Sequence, residues 1–338
     1  TELSDGLHKA PIFVEGGDYI FVNAKNIAKG FIVDNDPTKK STKEEYLKYS
    51  SPLNETTILY SIDGTIGNIA LYRGEKCILG KGACYMNPNP QILDRMYLYY
   101  TLQSPHFNAY IDQMSTGSTI QHISLKTMRN YVFTCPPLDE QKQIASVLSS
   151  LDDKIDLLNR ENATLEAMAE TLFRQWFIEK TKEDWEEKPL SSIATFLNGL
   201  ACQKYPPKNE IEKLPILKIR ELTNGIGADS DWSTTDVGEE YIVHSGDVIF
   251  AWSASLMVKI WDGEDCILNQ HLFKVTSTRY PKWFYYLWCK HHLNEFIAIA
   301  QSHATTMGHI KRNDLDTAMV LVPSLDELKI MSETMEPI

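Results

Sequence analysis

From Leu138 to about Lys180 the apolar positions fall in alternating steps of three and four: Ile144, Leu148, Leu151, Ile155, Leu158, Asn162, Leu165, Ala169, Leu172 and Trp176. A 3.5-residue period held over so many turns is a coiled-coil seam and outlasts an ordinary globular helix. No Gly or Pro interrupts the stretch, and Pro136-Pro137 precede it. Asp139 and Glu140 in its first turn suit the positive end of a helix dipole. The other faces carry Lys142, Asp152, Lys154, Asp156, Arg160, Glu166 and Arg174, as a solvated surface does. About forty helical residues make a rod of roughly 60 Å, and an amphipathic helix of that length needs its seam covered. Asn162 is the polar break in the seam; it either fixes register with a partner or faces solvent. Phe173, Trp176 and Phe177 widen the stripe, which fits packing against a globular domain.

On either side of this rod the period changes. Tyr19-Ile20-Phe21-Val22 and residues 215–219 read as strands followed by polar turns. Residues 57–60 and 247–250 are β-branched and aromatic runs of buried-strand type. Gly64-Thr65-Ile66-Gly67 reads as a tight turn entering another strand, and Met96 and Trp283 open apolar helices. Such a mixture predicts an α+β domain, twice, because the chain repeats itself. Ser115-Thr116-Gly117-Ser118-Thr119-Ile120-Gln121-His122-Ile123, running on to Pro136-Pro137-Leu138-Asp139-Glu140, returns without a gap. The second copy is Ser302-His303-Ala304-Thr305-Thr306-Met307-Gly308-His309-Ile310, running on to Pro323-Ser324-Leu325-Asp326-Glu327. Residues 74–79 match 263–268, and Ile27-Ala28-Lys29-Gly30 matches Leu222-Thr223-Asn224-Gly225. The unit is a whole domain, too long for one solenoid repeat.

The expected organisation is therefore a first domain over 1–137, the long helix over 138–180, a second domain over 181–324, and the start of a second helix over 325–338. Leu325 and Leu328 begin that helix, with Met331 and Met335 continuing its seam. Polar loops differ between the copies: Asp36, Lys39, Lys40, Lys43 and Tyr46 follow Gly30, whereas Asp229, Ser230, Asp231, Trp232 and Thr235 follow Gly225. The stretch from Asn198 to Tyr205 has no full counterpart in the first copy.

Composition narrows the picture. At 338 residues and 43% hydrophobic the chain can bury a core in each copy. No apolar run has membrane-spanning length, and no signal pattern opens the chain. Six cysteines without C-x-x-C spacing read as reduced, mostly buried thiols of a cytoplasmic protein, not a zinc site. A net charge of −12 argues against strong sequence-independent DNA binding by this chain alone. Enzyme signatures fail in turn. Gly74 to Gly80-Lys81-Gly82 is one residue too long for a phosphate loop and lacks its Ser or Thr. Asn87-Pro88-Asn89-Pro90 lacks the adjacent prolines and aromatic of amino-methyltransferases. Glu186-Glu187-Lys188 has no Asp-bearing strand before it, and His291-His292 point apart on a helix. Nothing assembles nucleophile, base and orienter.

Pro136-Pro137-Leu138-Asp139-Glu140-Gln141-x-x-Ile144, Leu148-x-x-Leu151-Asp152-x-x-Ile155 and Leu172-Phe173-x-x-Trp176-Phe177 resemble the central conserved region of Type I restriction-modification specificity subunits. Ser118-Thr119-Ile120-Gln121-His122-Ile123 is similar to the segment closing a target recognition domain in that family, and Trp185, Ile193, Asn198 and Gly199 to the segment opening one. The resemblance covers essentially the whole chain. It departs at the ends: the opening segment has no equivalent before residue 1, and the second helix stops at Ile338. The family implies a non-catalytic subunit whose two target recognition domains, held apart by paired antiparallel helices, each read half of a bipartite duplex DNA site. It further implies no cofactor on this chain, two modification subunits binding S-adenosylmethionine and methylating adenine, and restriction subunits using ATP and magnesium. Within that reading, groove-edge and phosphate chemistry makes Lys39, Lys40, Lys43, Ser118, Thr119, Gln121 and Lys126 DNA-contact candidates in the first copy. In the second copy they are Gln203, Lys204, Lys208, Arg220, Thr305, Thr306, Lys311 and Arg312. The seam residues are the partner-facing set. Two other readings compete, a protein–protein scaffold with duplicated interaction domains and a standalone modification enzyme. The failed cofactor motifs weigh against the enzyme, and divergent loops on one frame favour a DNA reader over a scaffold.

Overall fold

A computed structural model describes residues 1–34, 38–115, 122–302 and 308–338. They form two compact units, Thr1–Asn159 and Arg160–Ile338.

The first unit is built on an antiparallel sheet in the order β1 (Glu2–Asp5), β9 (Ala83–Asn87), β6 (Ile58–Ser61), β7 (Ile69–Leu71). A smaller sheet sets β2 (Tyr19–Val22) between β5 (Lys40–Ser41) and β8 (Cys77–Leu79), with β2 and β8 parallel. β3 (Ile27–Ala28) and β4 (Phe31–Ile32) form a short ribbon. Side chains alternate across β6. Ile58 and Tyr60 join Cys84 and Met86 in a core with Leu98 of α2 (Arg95–Thr101) and Phe107 of α3 (Pro105–Met114). Leu59 joins Ala83, Tyr85, Val22 and Leu79 in a second core on the other face. With both faces covered, the strands read as continuous apolar runs. α1 (Lys43–Tyr49) and α4 (Leu125–Asn130) are short, each capped by a hydroxyl: Thr42 and Ser124 accept from Glu45 and Thr127 backbone N–H groups.

The second unit repeats this plan. Its main sheet runs β11 (Thr195–Asn198), β18 (Leu272–Thr276), β15 (Val248–Ala251), β16 (Met257–Ile260). The smaller sheet runs β13 (Trp232–Thr234), β12 (Lys213–Leu217), β17 (Cys266–Leu268), β14 (Ile242–Val243), again with one parallel pair, β12 and β17. Val248 and Phe250 face one core, Ile249 and Ala251 the other. β10 (Glu186–Pro189) pairs with β19 (Met319–Val322); α6 (Leu190–Ile193), α7 (Ile219–Asn224), α9 (Arg312–Thr317) and α10 (Leu325–Met335) complete the unit with α8 (Lys282–Ser302). Where the first unit has two helices, α8 is continuous. The break lies at Ser104-Pro105, where Ser104 accepts from the Phe107 N–H and Pro105 starts α3.

The duplication reaches further upstream than the sequence suggested. Leu7 bridges Gly80 in parallel, and Leu200 bridges Asn269 in the same way. Asp5-Gly6-Leu7 is thus the counterpart of Asn198-Gly199-Leu200, the first three residues of the stretch from Asn198 to Tyr205; the 3₁₀ turn Cys202–Lys204 further along it has no equivalent among the described residues of the first unit. Both glycines are demanded by close approach. A Cβ on Gly6 would lie 2.2 Å from the Leu79 carbonyl oxygen, and one on Gly199 would lie 2.3 Å from that of Asn269. Two shared identities are too short a signal to stand out in the sequence.

The long helix α5 (Leu138–Arg174) ends in a π-helical turn, Gln175–Glu179. Its start is pinned by Gln141, which is buried. Gln141 Oε1 accepts from the Asp94 N–H at 2.9 Å, and Nε2 donates to the carbonyls of Ile92 and Pro136 at 3.0 and 2.8 Å. The seam divides in three. Near the start, Ala145 is buried one turn after Gln141, while Ile144 remains exposed. From Leu151 to Arg160 every residue is exposed, including Leu151, Ile155 and Leu158. Beyond, Leu165 is half-buried, Ala169, Leu172 and Trp176 pack on the second unit's core, and Phe173 and Phe177 enter it. Glu166 ties α5 to α8 by accepting from the Tyr286 hydroxyl and the Lys290 ammonium, both at 2.7 Å.

Candidate DNA interface

In each unit three connecting segments meet at one place, held by the same backbone bonds. The Ile62 N–H donates to Gly82 at 3.0 Å and Ile123 donates to Ile62 at 2.9 Å. The Trp252 N–H likewise donates to His271 at 3.3 Å, and Ile310 to Trp252 at 3.1 Å. Bridges Asp63–His122 and Ser253–His309 lie at matching register. Gly64, with φ 77°, has its counterpart in Ala254, with φ 58°. That left-handed backbone costs an alanine roughly 1–2 kcal/mol, so the turn is held by its surroundings; the Ala254 N–H donates to Gly308 at 2.9 Å.

On this common backbone the side chains differ. Buried Ile62 is replaced by half-buried Trp252, Gly82 by His271, Asp63 by Ser253, and Lys81 by Gln270. Trp252 donates its indole N–H to Asn198 Oδ1 at 3.0 Å, stacks on Phe273 at 5.6 Å and lies 5.9 Å from the His271 ring. The second unit thus presents aromatic and amide groups where the first presents a lysine and a carboxylate.

The smaller sheets diverge too. Val22 pairs with Leu79 as Leu217 pairs with Leu268, which places Lys25 opposite Arg220 and buried Asn26 opposite buried Glu221. The Phe21 N–H donates to Lys39 as Ile216 does to Asp231, so Lys39 corresponds to Asp231. In the first unit Lys9, Lys25, Lys39 and Lys81 line one cavity of about 330 Å³ with Phe13 and Phe21.

Of the first-copy candidates, Lys39 lines this cavity, its ammonium 4.9 Å from the centre of the Phe13 ring. Lys40 is half-buried and paired with Asp34 at 2.8 Å. Lys43 and Lys126 are exposed on α1 and α4 and do not line the cavity. In the second unit Gln203 and Lys204 are exposed in a short 3₁₀ turn, and Lys208 is paired with Asp236. Arg220 is committed internally. Its guanidinium bonds Glu221 Oε1 at 2.9 and 2.6 Å and the Asp229 carbonyl at 2.6 Å, and the carboxylate beside it raises its pKa further. Lys311 and Arg312 are exposed at the start of α9, Arg312 reaching the Phe196 carbonyl at 3.5 Å. Ser118, Thr119, Gln121, Thr305 and Thr306 lie outside the described residues. Lys9, Lys25 and Lys81, which line the cavity with Lys39, are not among the sequence candidates. Lys81 sits in the Gly80-Lys81-Gly82 stretch that fails as a nucleotide loop, so its glycines were the available signal. Gly80 is required by a close approach, a Cβ there falling 2.2 Å from Asn23 Oδ1.

Among the described residues no three His, Cys, Asp or Glu side chains gather as a metal site. Two copies of one frame that present unlike side chains at equivalent places define a duplicated recognition protein. The chain belongs to the family described as Type I restriction modification DNA specificity domain, matched over residues 7–167 and again over 182–338. It is 23% identical to the Type I restriction enzyme MjaIX specificity subunit of Methanocaldococcus jannaschii, over 96% of this chain and 80% of the relative. It is 25% identical to the MjaVIII specificity subunit of that organism, over 85% and 73%. Its fold is similar to a crystal structure of a Type I restriction-modification S subunit from M. genitalium, with TM-score 0.56 and 14% identity, covering 99% of this chain and 88% of that one. The family is one of DNA specificity and is not catalytic, and it implies no cofactor on this chain.

Proposed function

We propose that this chain is the DNA sequence-specificity subunit of a Type I restriction-modification complex, each unit reading one half of a bipartite duplex site. One observation carries the reading: matching backbone bonds at the two loci hold different side chains, Asp63 and Gly82 beside buried Ile62 against Ser253 and His271 beside half-buried Trp252. Base reading needs such variation, because groove-edge donors and acceptors differ between base pairs while phosphates do not. In this reading α5 sets the unread spacer between the half-sites. Its exposed seam, Ile144, Leu151, Ile155 and Leu158, docks two modification subunits that carry S-adenosylmethionine and methylate adenine. Restriction subunits supply ATP- and magnesium-dependent cleavage, in the cytoplasm. Among the described residues no helix is long and apolar enough to cross a membrane.

Mapping methylated adenines in the source genome tests the proposal. A bipartite motif should appear, and replacing Trp252 and His271 together should change one half only. A motif unchanged by that replacement, or a change in both halves, contradicts the assignment of one half-site per unit.

A further inference from the structure

We infer that the lysine-lined cavity of the first unit seats a phosphate of the duplex backbone, and that the second unit has no such seat at the equivalent place. The inference rests on the DNA-reading function proposed above. Four lysines, Lys9, Lys25, Lys39 and Lys81, line one cavity, and carboxylates satisfy them poorly. Lys9 and Lys39 rest over the rings of Tyr49 and Phe13, at 5.3 and 4.9 Å. Lys81 is loosely paired with Asp63 at 3.8 Å. Lys25 is exposed and has no ion pair among the described residues. Like charges gathered in this way repel one another, and a bound anion removes the repulsion. Phe13 and Phe21 form an apolar wall beside the lysines.

The second unit cancels each of these charges from within. Cys202 replaces Lys9 and is buried. Asp231 replaces Lys39 and is paired with Lys218, which stands in the place of Asn23. Arg220 replaces Lys25 but is held by Glu221, where the first unit has neutral Asn26. Gln270 replaces Lys81. The backbone is shared, so the difference is one of chemistry. A phosphodiester suits the first locus, whereas the second offers uncharged amide and aromatic groups.

The test compares the assembled complex carrying wild-type chain, Lys25→Ala/Lys81→Ala, Lys25→Arg/Lys81→Arg, and Lys218→Ala/Gln270→Ala. Affinity for the mapped target duplex and for a random duplex is measured from 50 to 200 mM salt. Loss of one phosphate contact lowers the salt slope by about 0.9, which makes affinity about 3.5-fold less salt-sensitive over that range. The alanine pair in the first unit should show that change equally on both duplexes, the arginine pair should keep the wild-type slope, and Lys218→Ala/Gln270→Ala should keep it too. An unaltered slope in Lys25→Ala/Lys81→Ala, with selective binding intact, overturns the phosphate seat and leaves the DNA reading standing. An equal fall in the second-unit variant overturns the one-sidedness. A wild-type complex that does not prefer its target overturns the DNA reading and this inference with it. All substituted lysines are surface groups, and thermal melting of each variant confirms the fold.

Discussion

Arg220 and Lys25 stand at the same register, yet their neighbours give them opposite roles. A single carboxylate one residue along, buried Glu221, converts the cation at 220 into a structural group. Desolvating an unpaired carboxylate is costly, so the pair is needed once Glu221 is inside. Glu327 shows the same principle at a helix start. It accepts from Lys182, completes a capping box with Ser324, and lies 3.5 Å from the Trp185 indole nitrogen. Those bonds hold its carboxyl pKa down to about 2, well under the usual value. A depressed carboxylate pKa stabilises the fold above the unfolded value and loses that contribution as pH falls towards 2. The melting temperature of wild type should therefore fall between pH 5 and 2 more steeply than that of Glu327→Gln. Parallel curves in a thermal melt series would show that the carboxylate is not linked to folding.

At the scale of the element, α5 is one helix in three environments. Its C-terminal part buries Phe173 and Phe177 among Trp185, Phe284 and Trp288, with Phe177 5.2 Å from Trp185 and 5.5 Å from Phe284. Phe177→Ala should cost about 3–5 kcal/mol. Leu151 is 56% exposed, so Leu151→Ala should stay within about 0.5 kcal/mol in the isolated chain. Urea denaturation separates the two; a large loss at Leu151 would mean the middle seam is already covered. The helix was legible because a 3.5-residue period repeats until chance is excluded. The two-sided strands were legible too, since β6 and β15 are uninterrupted apolar runs. The equivalence of β1 and β11 was not legible, because the two four-residue strands share no residue and only the Gly-Leu after them is common. Which turns of α5 are covered was also not legible: Ala145 looks unremarkable in a sequence, and its burial follows from Gln141 anchoring the helix one turn earlier.

For the molecule as a whole, most of the acidic excess lies after Asn159, in the unit whose cations are internally paired at the cavity's counterpart. The overall −12 therefore hides a local positive site, which is why composition alone pointed away from a nucleic-acid partner. Residue type alone marks Lys39 and not its cavity neighbours, because Lys9, Lys25 and Lys81 are far apart in the chain and are brought together by the β2–β8 pairing and the Leu7–Gly80 bridge. If α5 sets the interval between half-sites, deleting residues 151–157 removes one heptad, or about 10.5 Å of rise. The unread spacer should shorten by about three base pairs, and methylation-site sequencing would read that directly; an unaltered spacer rules out the helix as the measuring element.

The matched backbone bonds around Ile62 and Trp252 have one more consequence. Because the chain path at each locus is secured by main-chain groups, its exposed side chains can be exchanged while the backbone keeps its course. Under the proposed function, one half-site preference can then drift through ordinary point changes while the other stays as inherited, so a lineage of such proteins can diversify its targets one half at a time.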